Sequence, residues 1–444
     1  MKVLYDISLL GISYKYNTRT GAFRVAEKIA EIITTSKECD VSFCTLLCPE
    51  LNEWLDPGEL MIDYALSYLE SCNKFPEINL VTSTLEKYIH RKIRTTFGEL
   101  NNQSNLSFLS KIGQQILLTL VKSMTNENIL LSPSNLAKND IFHSPFYPLP
   151  ELSQTNQKLQ RFITIHDIIP LLDPELVDKR NPGLIPLTQR IVNSIKSNDW
   201  VFCVSQSSKN DLCNYCPEIE PSRVFVTHLA PSKVFSSCSA DAEQITALRN
   251  KYSIPRDCPY ILSVSAWVTR KNFPHLIHCF SQLLQEQKIN DLYLVLVCVT
   301  IKNKLAEYDQ ILQEHENYNL LKERIIITDY ISDEDLAILY SDALAFVYPS
   351  LYEGFGIPPI EAMQCGTPVI TSNTSSLPEV VGDAGIMVDP RDRDELCHHL
   401  FQVYNNSDLR EEMSLKSLEQ AKKFSWEKFA QETIKAYKTA VLSQ

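Results

Sequence analysis

The sequence predicts an α/β protein of two or three domains built on parallel sheets, and three observations lead to that class. A chain of 444 residues and 50.7 kDa is too long for a single hydrophobic core. From about residue 255 onward, apolar runs alternate with helix-length segments, which is typical of βαβ units. Near the end of this pattern, five of the 11 glycines fall within 32 consecutive residues, where a strand, a tight loop and a helix start follow one another.

The composition indicates a soluble globular protein, with 44% hydrophobic and 22% charged residues. A net charge of −12 argues against general nucleic-acid binding. The longest apolar run, LYLVLVCV, predicts a buried strand rather than a membrane span, and MKVLYDISLL does not resemble a signal peptide. Thirteen cysteines at scattered spacings favour reduced thiols in a cytoplasmic protein. The lone CNYC motif is expected to be structural, with a zinc or redox role as the weaker alternative.

The first predicted domain covers residues 1–240. It opens with the strand KVLYDIS, a loop that holds Gly21, and a helix with Val25, Ile29, Ile32 and Ile33 on one face. FITIHD and DWVFCVS are the next strand candidates. The polar segment SSCSADAEQ marks the junction to the next domain, between about residues 236 and 256.

The second predicted domain covers residues 241–425 and has the more regular pattern. Its strands are expected at YILSVS, LYLVLVCV, RIIIT, LAFVYP, TPVIT and AGIMV, and the helix-length spacing between them predicts a parallel sheet. Residues 426–444 are expected to form a helix that packs back on the first domain.

Residues 81–124 differ from the rest of the chain because they carry six Lys or Arg against two acids. One interpretation is a solvated helical insertion in the first domain. The other is a docking face for an anionic acceptor or a membrane surface.

The segment FVYPSLYEGFGIPPIEAM carries the chemistry. Gly354 and Gly356 let the loop turn and let backbone N–H groups face a ligand, and a helix N-terminus that begins with prolines favours an anion such as phosphate. Glu353 and Glu361 flank this site, and carboxylates are good acceptors for sugar hydroxyls. The combination suggests a phosphate-linked sugar. The alternative is that Glu353 caps the loop and Glu361 only favours the helix dipole.

A cationic pair follows the first strand of the second domain. Arg270 and Lys271 lie in SAWVTRKNFPHLI, just after the strand at 260–265, where ligands bind in doubly wound sheets. Both side chains could reach a pyrophosphate there. By itself, such a pair is more often a solvated surface feature.

Together these motifs resemble a family 4 glycosyltransferase of the GT-B fold. The second half is similar to that family nearly throughout, from VSAWVTRKNFPHLI through YEGFGIPPIEAM to FSWEKFA. The first half is similar at TGAFRVAEKIAEII, FHSPFYPLP, TIHDIIPLLDPEL and CVSQSSKNDL. The resemblance implies two Rossmann-like, doubly wound domains that face each other across a cleft.

The resemblance also implies roles for residues of the second domain. Glu361 would accept hydrogen bonds from the ribose hydroxyls, and Glu353 would hold the sugar. Arg270 and Lys271 would neutralise the diphosphate as the leaving group. The remaining donor-binding positions would be the backbone at Gly354, Phe355, Gly356 and Ile357, and the base-reading segment at Tyr330 and Ile331.

The first domain would contribute the other side of the site. His166 would lie beside the transferred sugar and Asp167 on the acceptor side, whereas a lone histidine at a strand end is otherwise more often structural. His143 is a further acceptor-side candidate, although a capped core strand end explains it equally well. The loop Thr20, Gly21 and Ala22 would approach the phosphates.

The sequence departs from the family pattern at Ser265 and Val299, where glycine is frequent in relatives. A side chain at Ser265 narrows the approach to the phosphates but adds a hydroxyl donor, and activity is expected to survive.

The expected function is therefore anomer-retaining transfer of a hexose, with a slight preference for mannose, from a UDP- or GDP-sugar. The acceptor would be a glycan, a lipid-linked sugar or a protein, with no metal or other cofactor and no nucleic acid. The expected location is the cytoplasm, with peripheral membrane contact through residues 81–124. One alternative is a non-catalytic, glycosyltransferase-like subunit that binds a partner protein. A glycoside phosphorylase of the same fold is disfavoured because no pyridoxal lysine site is found.

Overall fold

The computed structural model describes residues 1–16, 21–46, 61–72, 74–75, 79–80, 136–151, 158–179, 181–236, 241–298 and 304–443. The predictions made for residues 81–124, for Thr20 and for Val299 lie outside these residues.

The first half of the chain forms an α/β unit. Its elements are β1 (Lys2–Asp6), α1 (Ser8–Lys15), α2 (Gly21–Thr35), β2 (Asp40–Cys44), α3 (Met61–Ser71), β3 (Asn79–Leu80), β4 (Ile141–Ser144), β5 (Gln160–Ile165), α4 (Ile169–Leu172), α5 (Leu184–Asn193), β6 (Trp200–Cys203), α6 (Gln206–Tyr215) and β7 (Val224–Val226).

The second half forms another α/β unit followed by C-terminal helices. Its elements are α7 (Ala242–Lys251), β8 (Tyr260–Val264), α8 (Phe273–Gln287), β9 (Tyr293–Val297), α9 (Leu305–Gln313), α10 (Tyr318–Arg324), β10 (Ile325–Thr328), α11 (Asp333–Asp342), β11 (Ala345–Tyr348), α12 (Ile357–Gln364), β12 (Val369–Ser372), α13 (Leu377–Val381), β13 (Ile386–Val388), α14 (Arg393–Asn405), α15 (Ser407–Ala421) and α16 (Trp426–Leu442).

Each unit contains one parallel sheet. The first sheet has the order β3-β2-β1-β4-β5-β6-β7, and the second has the order β10-β9-β8-β11-β12-β13. In register, Val3 pairs with Ile141 in the first sheet and Ala345 pairs with Ile261 in the second. Strand order therefore reverses direction between β1 and β4 and again between β8 and β11, which is the doubly wound arrangement predicted from the sequence.

Both sheets are covered by helices, and the central strands are nearly fully buried. Strand β11 buries all four of its residues, and β4 and β6 do the same. Apolar runs without alternation are the expected sequence signature of such strands.

Side-chain caps fix several helix starts. Asp392 is the N-cap of α14, since its carboxylate accepts a hydrogen bond from the backbone N–H of Glu395 at 2.9 Å. Ser205, Ser332 and Ser425 cap α6, α11 and α16 in the same way.

The C-terminal helix α16 packs back on the first sheet, as predicted. The ring of Tyr437 lies 4.8 Å from that of Phe162 on β5, measured between centroids. Helix α15, which precedes it, stays with the second unit, since Ser417 Oγ donates to the carbonyl oxygen of Thr367 at 3.3 Å. The chain therefore passes between the two sheets twice. The two sheets span residues 2–226 and 260–388, and the domain boundary near residue 240 stays a prediction.

Within the described residues, every cysteine is a free thiol, and none of the helices combines the length and apolarity that a membrane span requires.

Candidate functional site

The candidate site lies where the strand order of the second sheet reverses, at the carboxyl ends of β8 and β11. Arg270 and Lys271 follow β8 in a short 3₁₀ turn, Thr269–Lys271. The loop of residues 349–356 follows β11 and joins this turn, because the backbone N–H of Leu351 donates to the carbonyl oxygen of Arg270 at 2.7 Å. Ligands of doubly wound sheets bind at such a position.

Glu353 draws the two predicted cations together. Its Oε2 lies 2.6 Å from Nη1 of Arg270, and its Oε1 lies 2.5 Å from Nζ of Lys271. Ser350 Oγ also donates to Oε1, at 2.5 Å. Burial opposes ionisation of Glu353, but Arg270 and Lys271 outweigh it and lower its pKa to about 2. Both carboxylate oxygens thus bind the cations and hold them in place, and the expected contact of Glu353 with a sugar stays a prediction.

Lys271 is the more enclosed of the two cations, with 10% of its side chain exposed against 28% for Arg270. Its ammonium also donates to the hydroxyl of Tyr348 and lies 4.8 Å from the centre of that ring. Burial lowers the pKa of Lys271 to about 8, Arg270 adds to this effect, and Glu353 opposes it. The two cations and Glu353 together carry a net charge of about +1, and the Asp167 carboxylate is near enough to interact with both cations.

The loop of residues 349–356, called the glycine loop below, contacts the first unit. A Cβ atom at Gly354 would lie 2.3 Å from the backbone oxygen of His166, so only glycine allows this approach. Ser208 Oγ is within hydrogen-bonding distance of both carbonyl oxygens, 3.2 Å from His166 and 3.1 Å from Gly354. Gly356 has φ +110°, a left-handed conformation, and directly precedes Ile357, the first residue of α12.

Phe355, between these two glycines, is buried against the two places where the chain crosses between the sheets. Its ring centroid lies 5.9 Å from His228 and 5.9 Å from Phe424, and these two rings are 5.8 Å apart. The loop is therefore held by packing on both crossings.

Glu361 is buried on α12, with 6% of its side chain exposed. The hydroxyl of Tyr340 lies 3.4 Å from Oε2, and Nη1 of Arg24 lies 3.5 Å from Oε1. Burial raises the pKa of Glu361 to about 7; Arg24 counteracts this increase and Asp333 adds to it. The two glutamates of the motif therefore have different environments.

His166 and Asp167 follow β5 and lie opposite the glycine loop. His166 Nε2 is 3.0 Å from the carbonyl oxygen of Pro145, and burial lowers the pKa of His166. The Asp167 carboxylate accepts from the backbone N–H of Ile169 at 3.1 Å. Asp167 therefore supports the turn after the strand.

His143 does not reach the cleft. It is fully buried, with Nδ1 2.5 Å from the hydroxyl of Tyr437 and Nε2 2.9 Å from Oγ1 of Thr164. These contacts support the alternative of a capped core strand end, and the expected acceptor-side position finds no support.

The remaining predicted residues surround the site. Ser265 follows β8, and its backbone N–H donates to the carbonyl oxygen of Val297 at 3.0 Å. Tyr330 is 70% exposed and Ile331 is buried, and both precede α11. Gly21 begins α2, and no atom lies within 4 Å of the position that its Cβ would occupy.

Several contacts between the two units were not predicted from the sequence. Glu379 of α13 accepts from the backbone N–H groups of Gln206 at 2.9 Å and Ser207 at 3.0 Å, and lies 3.1 Å from Nε2 of His228. Arg24 of α2 reaches Glu361 and Asp333. Such residues have no local signal, because a charged residue on a helix is usually solvated and its partner lies in the other half of the chain.

Comparison with known proteins identifies the family to which this chain belongs. Residues 244–420 match the family model described as "Glycosyl transferases group 1". The chain is 34% identical to O-antigen chain mannosyltransferase B of Escherichia coli over 305 residues, which cover 68% of this chain and 74% of that protein. It is 32% identical to the serotype-specific mannosyltransferase WbdA of the same species over 295 residues, 66% of this chain. That match covers 35% of WbdA, so the chain spans about a third of the length of that relative.

Solved structures with the same fold cover the whole chain. Sucrose-phosphate synthase from Thermosynechococcus elongatus aligns with a TM-score of 0.64 at 18% identity, over 100% of this chain and 99% of that chain. Anabaena Alr3699/HepE, in complex with UDP and glucose, aligns with a TM-score of 0.59 at 14% identity, over 99% and 100% of the two chains. At these identities the likeness shows the fold, which is GT-B. Together with the family match and the relatives, it leads to one conclusion: this chain is a member of the group 1 glycosyltransferases.

Proposed function

We propose that this protein is a retaining glycosyltransferase of family 4 that transfers a hexose, with mannose the preferred sugar, from a nucleoside-diphosphate sugar to a glycan, lipid-linked or protein acceptor. The observation that carries the proposal is the cluster of Arg270, Lys271 and Glu353 at the reversal point of the second sheet. A positively charged cleft bordered by a helix N-terminus suits a diphosphate.

The relatives support the choice of mannose. O-antigen chain mannosyltransferase B and WbdA are both named as mannosyltransferases. The Anabaena protein of the same fold is described in complex with UDP and with UDP-glucose, which supports a nucleotide-sugar donor in general.

In the proposed reaction, Arg270 and Lys271 stabilise the diphosphate as it leaves. The bond between the anomeric carbon and the phosphate oxygen breaks, and a new bond forms from the acceptor oxygen on the same face of the sugar. The proton of the acceptor hydroxyl passes to the departing phosphate oxygen, so no side chain acts as a nucleophile. Electrostatic stabilisation of the leaving group is then the main task of the protein.

His166 fits the sugar side of this reaction. Because burial lowers its pKa, the ring is neutral near pH 7, and Nε2 donates to the carbonyl of Pro145. In that tautomer Nδ1 is an acceptor, which suits a hydrogen bond from a sugar hydroxyl.

Transfer is proposed to need no divalent metal, because Arg270, Lys271 and the start of α12 supply the positive field. Initial rates would be compared in excess EDTA and with added magnesium or manganese. Rates within twofold of each other are expected; loss of most activity in EDTA, restored by one metal, would contradict this mechanism.

The overall proposal is tested with purified protein and a panel of GDP-mannose, UDP-glucose and UDP-N-acetylglucosamine. One donor should raise the melting temperature and be hydrolysed slowly, and nuclear magnetic resonance of the transfer product should show the donor's anomeric configuration. A protein that binds and hydrolyses none of them would instead fit the non-catalytic, partner-binding subunit.

Acceptor recognition is proposed to involve the basic segment 81–124. Reversing Arg91, Lys92 and Arg94 to Glu should lower acceptor use or binding to anionic liposomes while donor hydrolysis persists. Unchanged behaviour in both assays would leave the segment as a solvated insertion.

A further inference from the structure

Arg24 belongs to the first unit but forms its ion pairs with the second. Its Nη1 lies 3.5 Å from Oε1 of Glu361, and its Nη2 lies 3.5 Å from Oδ1 of Asp333. The guanidinium thus places one nitrogen against each of two carboxylates on α12 and α11. Arg24 is 43% exposed, so it lies at the open edge of the cleft, whereas Glu361 is 6% exposed.

The other charged residues of α2 behave differently. Lys28 pairs with Glu31 on the same helix at 2.7 Å, and Glu27 pairs with Lys74 at 3.1 Å, both within the first unit. Arg24 precedes Lys28 by one helical turn on the same face of α2, but its ion pairs are with the second unit.

Three groups from the surrounding elements face the Glu361 carboxylate: Arg24 from α2, and Asp333 and Tyr340 from α11. On its own helix, Cys365 lies one turn further on and interacts with Tyr340. Of these groups, Arg24 is the one cation, and it opposes both burial and the negative charge of Asp333.

Ionisation favours ribose binding by a carboxylate, because both of its oxygens are then free to accept hydrogen bonds from the hydroxyls. We propose that Arg24 is a positioning residue of the donor site that acts through Glu361, preparing that carboxylate for the ribose of the nucleotide and linking donor binding to closure of the cleft. This inference rests on the proposed function, since it assumes that the ligand at Glu361 is a nucleotide.

The distances fit this role. At 3.5 Å, the contact between Arg24 and Glu361 is at the limit of a hydrogen bond, so it supplies charge without occupying the oxygen tightly. Ribose hydroxyls can then bind Glu361 while Arg24 stays nearby.

The inference predicts a pH-dependent effect. Glu361 has a pKa of about 7, and the loss of a nearby cation typically raises the pKa of a buried carboxyl by about one unit or more. Arg24→Ala should therefore weaken binding of free GDP or UDP by about tenfold at pH 6 and by less than about twofold at pH 8.5, where Glu361 is mostly ionised in both proteins. Arg24→Lys keeps the charge and should restore most of the affinity.

The experiment is isothermal titration of the full chain with GDP and with UDP between pH 6 and 8.5. Lys28→Ala is the matched control, since it removes a cation from the next turn of the same helix and should leave the profile unchanged. In a Glu361→Gln background, Arg24→Ala should have little further effect, because the two changes act on one interaction.

Two results would overturn the inference while leaving the proposed function intact. The first is wild-type affinity and pH profile in Arg24→Ala. The second is an equal loss at every pH, repeated in the Glu361→Gln background, which would mean that Arg24 does not act through Glu361. If the wild-type protein binds neither GDP nor UDP, the proposed function fails as well.

Discussion

Glu353 and Glu361 are parts of one motif, yet their pKa values move in opposite directions. Burial disfavours the charged form of both, but Glu353 has two cations within 2.6 Å, whereas Glu361 has one at 3.5 Å and a carboxylate nearby. The pKa is about 2 for the first and about 7 for the second. The number of close cations, rather than burial, therefore decides the ionisation of each residue.

Glu361→Gln should stabilise the fold at alkaline pH while it weakens donor binding. The pKa of Glu361 is about 7 in the folded protein, against 4.5 for an ordinary Glu in the unfolded chain. Between pH 4.5 and 7, the folded state therefore binds a proton that the unfolded state has lost. The free energy of unfolding then falls as pH rises through this window, by up to about 3 kcal/mol above pH 7. Gln cannot ionise, so the variant avoids this loss.

The measurement is the melting temperature of the variant and the wild type between pH 4.5 and 8.5. The difference between them should increase in favour of the variant as pH rises. A difference that stays constant with pH would show that Glu361 has an ordinary pKa.

Lys271 should set the alkaline limit of activity. Its pKa of about 8 means that the ammonium loses its proton as pH rises through that value, and with it the charge proposed to stabilise the diphosphate. We expect kcat/KM for the donor to fall above pH 8, since that ratio reports the free enzyme. Lys271→Ala should lower kcat and remove this fall.

Lys422→Ala is the control for Lys271→Ala, because Lys422 is an exposed residue that pairs with Glu419 on α15. A wild-type rate that stays flat up to pH 10 would argue against a role for the Lys271 charge.

At the scale of elements, the loop between β11 and α12 depends on the lack of a side chain at Gly354. Gly354→Ala would place a methyl group 2.3 Å from the His166 carbonyl oxygen, so the two units would have to separate. We expect a large loss of transfer with both units still folded, measured by initial rate and by circular dichroism.

Gly183→Ala is the matched control, since its nearest neighbour is 4.0 Å away and its φ of −66° suits alanine. Wild-type activity in Gly354→Ala would mean that this close approach is not needed for transfer.

The sequence predicted most of the second sheet and less of the first. All six strands from β8 to β13 were identified from their apolar runs, which contain few polar residues even in the partly buried edge strands β10 and β13. Strands β2, β3 and β7 were not identified: DVSFC buries two of its five residues, and β3 and β7 have only two and three residues. Short strands at or near a sheet edge resemble ordinary loops in sequence.

The sequence predicted part of the candidate site and missed the residues that connect the two units. The grouping of Arg270, Lys271 and Gly354 followed from the rule that loops after adjacent parallel strands meet. The roles of Arg24 and Glu379 could not be predicted, because each depends on how two separately folded units dock. His143 was misleading for the same reason, since its partner Tyr437 is 294 residues away.

At the scale of the whole molecule, Glu379 holds the two units together. Burial pushes its pKa upward, but hydrogen bonds from His228 and from two backbone N–H groups at the start of α6 outweigh this and lower the pKa. Glu379→Ala removes all three contacts, so the unliganded protein should populate a more open arrangement.

Small-angle X-ray scattering should then give a larger radius of gyration for Glu379→Ala than for wild type. Glu412→Ala removes an exposed acid that pairs with Lys416 on α15 and serves as the control. Identical scattering curves for Glu379→Ala and wild type would mean that these contacts do not determine the arrangement of the units.

The two crossings of the chain between the sheets also have a mechanical consequence. His228 lies on one crossing and Phe424 on the other, and both rings pack on Phe355 of the glycine loop. Two covalent links make rotation about the line between them the easiest relative motion of the units. In such a rotation, atoms on that line move least, and the displacement of any other atom grows with its distance from the line. The loop after β11 lies beside this axis, so a rotation that opens the cleft displaces its rim further than it displaces this loop.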